Sequence, residues 1–455
     1  MTAATDRHAE YDKGRLFVLS VLALTTAGIS FSLRSSVAEA LRTTFFDPID
    51  KLHSAEMIGA ALGVAFLGFA FTIAVASPML DALGMGRVLQ ASSLCFIGGT
   101  LIVVFASALS GPLGVYRTIW LGMLLTGIGW GLVETAINPL AATLYPEDKT
   151  HRLNVLHAWW PMGIVIGGLI GLAVGQLDMG WQAKLGVVVI PAVAYGIGLV
   201  GAKFPPTERV AAGVSSGEMF REVARPLFIV WFLSMFLTAA SELAPGQWVD
   251  MALTRTVGFH GIWLLIYVSG LMFVMRHFAG PLAHKLSPVG LLWFSCLLAS
   301  AGLVLLSVAN SPVTGLLAAT IWGAGVCFMW PTMLAAASER FPRGGALLMG
   351  LMGTAGTLSI YFVLPEMGQI FDRAKIAEAR GDASFGTLSA SAAAGDVASQ
   401  TRLNEVLTVA SQSSFRFVAI LPALLLLVFG AIWLFDRAKG GYRAQEIRTD
   451  APVAK

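Results

Sequence analysis

The stretch Gly-Leu-Val-Glu-Thr-Ala-Ile-Asn-Pro-Leu (131–140) sets one carboxylate, Glu134, inside a long apolar run. A charge at the centre of a bilayer-spanning helix costs at least ~2.5 kcal/mol, so it needs a partner, water or a proton. The rest of the chain supports a bilayer setting. Of 455 residues, 56% are apolar and 13% charged, against about 25% charged in ordinary soluble domains. About 20 apolar residues cross the hydrocarbon core. Twelve stretches qualify, approximately 15–40, 56–80, 87–107, 116–144, 153–174, 183–202, 226–249, 259–280, 289–308, 313–336, 343–368 and 413–436. The expected fold is an all-α integral membrane protein of twelve transmembrane helices.

Charge distribution orients it. With the N-terminus inside, the cytoplasmic ends and loops hold about 19 Lys and Arg and the outer loops about 10. Both termini are therefore expected in the cytoplasm, and the Ala- and Gly-rich chain in a bacterial-type inner membrane. The first apolar stretch is too long for a signal-peptide core and lacks a small-residue cleavage site, so it stays as helix 1. The net charge of +3 comes without clusters of basic residues, so nucleic acid is not an expected partner. Cys95, Cys296 and Cys327 all fall in apolar stretches without metal-like spacing. No nucleotide loop, metal cluster or hydrolytic triad stands out. Neither an enzyme nor a metal or other cofactor is expected, and the chain is read as a monomer.

The longest cytoplasmic connection, 203–226, is polar and contains Pro205, Pro206, Gly213 and Gly217. It separates 1–202 from 227–455, giving two pseudo-symmetric six-helix halves. A weak repeat agrees. Ser-Pro-Met-Leu-Asp-Ala-Leu-Gly-Met-Gly-Arg (77–87) follows helix 2, and Gly-Pro-Leu-Ala-His-Lys-Leu-Ser-Pro (280–288) follows helix 8. Tyr-Pro-Glu-Asp-Lys-Thr-His-Arg (145–152) and Glu-Arg-Phe-Pro-Arg-Gly-Gly (339–345) close helices 4 and 10 in the same way. One external connection, 371–412, is rich in Ala, Ser and Gly. Its expected state is a mobile surface insertion, since long loops are often disordered, with an external lid as the alternative. Ala374–Arg380 can extend helix 11, and Gln400–Ala410 can form a short amphipathic helix.

The first link resembles the signature between helices 2 and 3 of the major facilitator superfamily, Gly-x-Leu-Ala-Asp-Arg-x-Gly-Arg, with Asp81, Gly84 and Arg87 retained. The resemblance implies that Asp81 pairs charges at a cytoplasmic gate, with Arg87 beside it. The alternative for Asp81 is a helix cap. Glu-Thr-Ala-Ile-Asn-Pro (134–139), Pro-Glu (146–147) and Arg-Leu-Asn-Val-Leu-His (152–157) are similar to the fucose–galactose–glucose proton symporter branch, as is Met-Trp-Pro-Thr-Met (329–333). That implies import of a monosaccharide by alternating access, with Glu134 in the central cavity exchanging a proton. The chain departs from the branch at Ser-Leu-Arg-Ser (32–35), where the fucose permeases have Asn-Leu-Asn-Asp. His157 and Trp160 also replace a Gln and an Asn.

The residues suggest roles of their own. Arg34 can pair with Glu134, bind an anionic sugar acid through its guanidinium fork, or snorkel outward. Asn138, one turn after Glu134, offers donor and acceptor to a hydroxyl-rich ligand, or bonds a neighbouring helix. His157 is either a second proton carrier or a neutral hydrogen-bonded residue. Trp160 and Trp330 present indole faces to a sugar ring or anchor at the interface. Gln247 and Trp248 follow Pro245 and Gly246, which break helix 7, and Glu242 is a second buried acid. Arg276, closing helix 8, reads as a gate residue. The expected partners are a monosaccharide, protons and the lipid bilayer. A uniporter, a carrier of sugar acids or nucleosides, and a non-transporting sugar sensor are the rival functions.

Overall fold

The computed structural model describes residues 11–50, 54–111, 114–257, 261–445 and 447. Among them every regular element is helical. Twelve helices carry the fold: α1 (Lys13–Leu41), α2 (Ser54–Leu83), α3 (Met85–Val104), α4 (Gly114–Leu144), α5 (Lys149–Gln176), α6 (Trp181–Gly198), α7 (Pro226–Val257), α8 (Gly261–Arg276), α9 (Ala279–Leu306), α10 (Pro312–Arg340), α11 (Gly345–Glu378) and α12 (Val397–Ala438). Among the described residues eleven are long and apolar enough to cross a membrane, and α8 is the shorter twelfth. They occur as two sets of six, as the hydropathy pattern predicts. The protein is a multi-pass membrane protein.

Small residues let the helices approach. Between α1 and α5, a methyl at Gly28 would lie 2.3 Å from the Trp160 carbonyl oxygen, and one at Gly163 2.5 Å from that of Thr25. Between α2 and α4, a methyl at Gly127 would lie 2.1 Å from the Ala65 oxygen. Lipid tails are as apolar as leucine, so such close backbone packing supplies the association that hydrophobicity cannot. These two seams fix α1 against α5 and α2 against α4.

Several helices are interrupted. Gly84, at φ +81°, turns the chain between α2 and α3. α6 breaks at Val187–Val188 and α10 at Cys327–Phe328. In α9 the backbone kinks at Ser287, at φ 64°, and Ser287 Oγ accepts the Gly290 N–H at 3.2 Å. The link 280–288 is thus helical up to that kink.

The chain forms two compact units. The first comprises Met1–Phe232 with Leu334–Thr354 and Ala444–Lys455; the second comprises Leu233–Met333 and Ala355–Arg443. In the second unit, 371–412 is not the mobile insertion expected from its composition. α11 runs on to Glu378, a helix covers Asp382–Ala393, and α12 begins at Val397. Arg402 Nη2 ties α12 back to α11 through Glu378 Oε1 at 2.8 Å and the Glu378 carbonyl at 3.0 Å. Asp396 caps α12 by accepting the Ser399 N–H at 2.9 Å. The Ala-rich composition is a strong helix former, and these ties hold the turns together.

Candidate functional site

Within the first unit, Glu134 and Asn138 share one face of α4, a turn apart. Asn138 Nδ2 donates to the Glu134 carboxylate at 2.8 Å and to its carbonyl at 2.9 Å. Pro139 follows inside α4 and, lacking an N–H, leaves the Thr135 carbonyl without its backbone donor. Asn138 Oδ1 is left to accept, and His157 Nε2 of α5 lies 2.8 Å away. That geometry puts a hydrogen on Nε2. His157 Nε2 also lies 3.8 Å from Glu134 Oε2. Glu134, Asn138 and His157 are 4%, 2% and 3% exposed. An acid, an amide and an imidazole thus form one buried hydrogen-bonded chain, a local structure able to keep a proton on the carboxylate or on the ring.

An aromatic layer lies one or two turns away along the same helices. Trp130 precedes Glu134 by four residues and Trp160 follows His157 by three. The two indoles stack at 6.0 Å with planes 13° apart. Phe31 of α1 meets Trp160 at 5.6 Å, and Phe66 of α2 meets both Phe31 and Trp130. Asn138 faces His157 while Trp130 faces Trp160, so α4 and α5 run antiparallel through the site. The buried Nε1 atoms of both tryptophans have no hydrogen-bond partner.

Arg34, 5% exposed, stands one turn beyond Phe31's neighbour Ser30. Its Nε donates to the Ser30 carbonyl at 3.3 Å. The expected alternative of an Arg34–Glu134 pair is not what forms: among the described residues Arg34 joins no ion pair, and Nη1 has no partner. The carboxylate turns to Asn138 and His157 on its own and the next helix.

The gate residues separate. Asp81, at the end of α2, accepts from Thr207 Oγ1 at 2.6 Å and from Arg209 through Nε at 3.1 Å and through Nη2. Arg209 also donates to the Val214 carbonyl at 2.5 Å. Lys149 holds the neighbouring Glu208 at 2.7 Å, and Arg343 holds Glu218 at 2.8 Å. The connection 203–226 is therefore fastened at several points. Sequence reading missed this because the fasteners sit in the polar stretch read as a plain linker; the adjacent Glu208 and Arg209 were its signal. Arg87 lines the same surface pocket as Asp81, a cavity of about 400 Å³.

Arg276 lies apart, in the second unit. Its head is buried, 2% exposed, donating through Nη2 to Glu242 at 3.0 Å and through Nε to the Cys327 carbonyl at 2.6 Å. That carbonyl belongs to the break in α10, so the guanidinium occupies an acceptor the helix has freed. Trp330 packs on Gly356, where a methyl would lie 2.3 Å from its ring. Gln247 and Trp248 fall on α7, which runs on through Pro245 and Gly246 rather than breaking there, and their side chains lie outside the described residues.

A sequence model of the Major Facilitator Superfamily matches residues 16–363. The chain belongs to this superfamily. Among curated proteins it is similar to the uncharacterized MFS-type transporter STM4428 of Salmonella typhimurium, at 26% identity over 314 residues, covering 65% of this chain and 76% of that one. Among solved structures it is similar to the E. coli fucose:proton symporter FucP (TM-score 0.65, 16% identity, 90% of this chain and 98% of that one). It is also similar to the proton:xylose symporter XylE from E. coli (TM-score 0.69, 14% identity, 92% and 95%). At these identities the structural likeness is one of fold. It agrees with a twelve-helix fold.

Proposed function

We propose that the protein imports a monosaccharide-class solute with a proton by alternating access, in an inner membrane with both termini cytoplasmic. The observation that carries this reading is the buried Glu134–Asn138–His157 chain. A buried carboxylate is costly when charged, and a neighbouring imidazolium offsets that cost. One proton on the pair therefore satisfies both residues, on Glu134 as a neutral acid or on His157 as an ion pair. Loss of that proton leaves an unneutralised carboxylate, which favours its return. The stacked Trp130–Trp160 platform beside the pair supplies an apolar surface with N–H groups, the combination a pyranose ring uses. The fold neighbours named as sugar:proton symporters point the same way.

Asp81 and Arg87 are assigned to the cytoplasmic gate, with Arg209 as the charge partner of Asp81. Arg276 serves the second half by fixing the break in α10 beside Trp330. The reading is tested in proteoliposomes holding the purified protein and a pH-sensitive dye. Adding the transported sugar outside should move protons inward with it. Sugar entry without any proton movement would leave a uniporter instead.

A further inference from the structure

Four unpaired buried donors of the first unit share a chemistry that the proton-coupled sugar reading uses only in part. Arg34 Nη1, Ser30 Oγ, Trp130 Nε1 and Trp160 Nε1 are all buried and all without a hydrogen-bond partner. Each has a hydrogen to give, and three of the four have no capacity to accept. Phe31 joins the pair on α1 to the pair of indoles. Arg34 Nε reaches back to the Ser30 carbonyl, so its guanidinium lies over the turn holding Ser30 and Phe31, the usual direction for a helical side chain. Phe31 touches Trp160, which stacks on Trp130. Buried donors without acceptors, linked through one turn of α1 to a permanent cation, suit an acceptor-rich anion.

The charge count narrows the class. Arg34 is the permanent cation inside the apolar span of α1, and the other Lys and Arg of the first six helices stand near helix ends or in connections. One positive charge is balanced by one negative charge. A carboxylate meets that count and fits the guanidinium fork in two parallel hydrogen bonds. A phosphate dianion would leave a charge over. Glu134 does not fill the role, since it is held by Asn138 and His157.

We infer that the solute is a sugar acid: its carboxylate binds Arg34, its ring lies on the Trp130–Trp160 platform, and Ser30 and the indole N–H groups bond its oxygens. The inference rests on the sugar-transport reading and narrows it from monosaccharides in general to their acids. It assigns Arg34 as the specificity-determining residue, with no part in holding the proton.

The test is tryptophan-fluorescence titration of the full-length protein in detergent with D-glucuronate, D-galacturonate and methyl D-glucopyranosiduronate, and with D-glucose and D-galactose as their neutral counterparts. At least one acid should bind more tightly than its neutral counterpart, on the order of tenfold to a hundredfold, the value of a hydrogen bond to a charged group. Arg34→Gln should remove that preference, bringing the affinity for the acid down to that for its neutral counterpart. Arg34→Lys keeps the charge without the fork and should retain part of the preference, which controls for loss of fold. Equal or better binding of a neutral sugar overturns the inference and leaves the sugar-transport reading standing. A preference for acid that survives in Arg34→Gln overturns the assignment to Arg34. Failure of all five compounds to bind overturns the inference together with the sugar class on which it rests.

Discussion

Asn138 and His157 lie on neighbouring helices, 2.8 Å apart between Oδ1 and Nε2. Through Asn138 the histidine is linked to Glu134 on α4. A titratable ring on one helix is thereby coupled to a titratable acid on another. Replacing the amide with Asn138→Leu deprives Glu134 and His157 of one hydrogen bond each. Each such loss costs about 1–3 kcal/mol. The expected result is a lowered thermal midpoint and a transport pH profile displaced from that of the parent.

The Trp130–Trp160 stack makes a prediction about affinity. Trp160→Ala should weaken solute binding by ~1 kcal/mol or more, as loss of an aromatic contact does, measured by calorimetric titration. Trp160→Phe should recover part of it. Unchanged affinity in Trp160→Ala would remove the ring platform.

Arg209 is 5% exposed and carries Asp81, half of the predicted gate. Removing one partner of a buried pair leaves the other uncompensated, at about 3–5 kcal/mol. Asp81 retains some exposure, so the lower end applies. Arg209→Gln should lower the thermal midpoint and make 203–226 exchange its amide hydrogens faster, read by mass spectrometry. Unaltered exchange there would mean that Asp81 does not fasten the connection.

Glu218 forms a capping box with Ser215 and pairs with Arg343. The Ser215 backbone N–H holds its carboxyl below the usual glutamate value, with the Ser215 hydroxyl and Arg343 acting the same way. A depressed folded-state pKa contributes stability above the unfolded pKa, ~4.3, which is lost as pH falls through the folded value. The difference in thermal midpoint between the parent and Glu218→Gln should therefore be present at neutral pH and vanish on acidification below about 4. The group is exposed, so the difference is small. A difference that grows with acid would contradict the assignment.

Gly127 is where α4 meets the Ala65 backbone of α2. Gly127→Ala forces the helices apart, and overpacking costs ~1–3 kcal/mol. A lowered midpoint is expected, with a larger loss for Gly127→Leu. An unchanged midpoint would show that this seam is looser than it is drawn.

The spans were legible because hydropathy over 20 residues is a bulk property that neighbours do not alter. Glu134, Asn138 and His157 were legible one at a time, by cost and by spacing. Their mutual arrangement was not, because His157 follows Asn138 by 19 positions and the stretch between them includes a turn whose angle no periodicity encodes. The same holds for Arg34: a cation and an acid in one membrane half suggest a pair, and only packing decides that Asn138 and His157 take the acid. Trp130 was missed although it lies four residues from Glu134, because a tryptophan in an apolar run reads as packing. In 371–412, Ala, Ser and Gly read as loose chain, while the Arg402–Glu378 tie lies across 24 positions.

The central claim is that Glu134 holds the coupled proton. Its most direct test is Glu134→Gln in proteoliposomes, with uphill accumulation under an imposed pH gradient and solute exchange measured on the same preparation. Glutamine keeps the shape and the hydrogen bond from Asn138 but carries no titrating proton. The account predicts that accumulation is lost while exchange continues. Accumulation equal to that of the parent would show that the proton travels elsewhere.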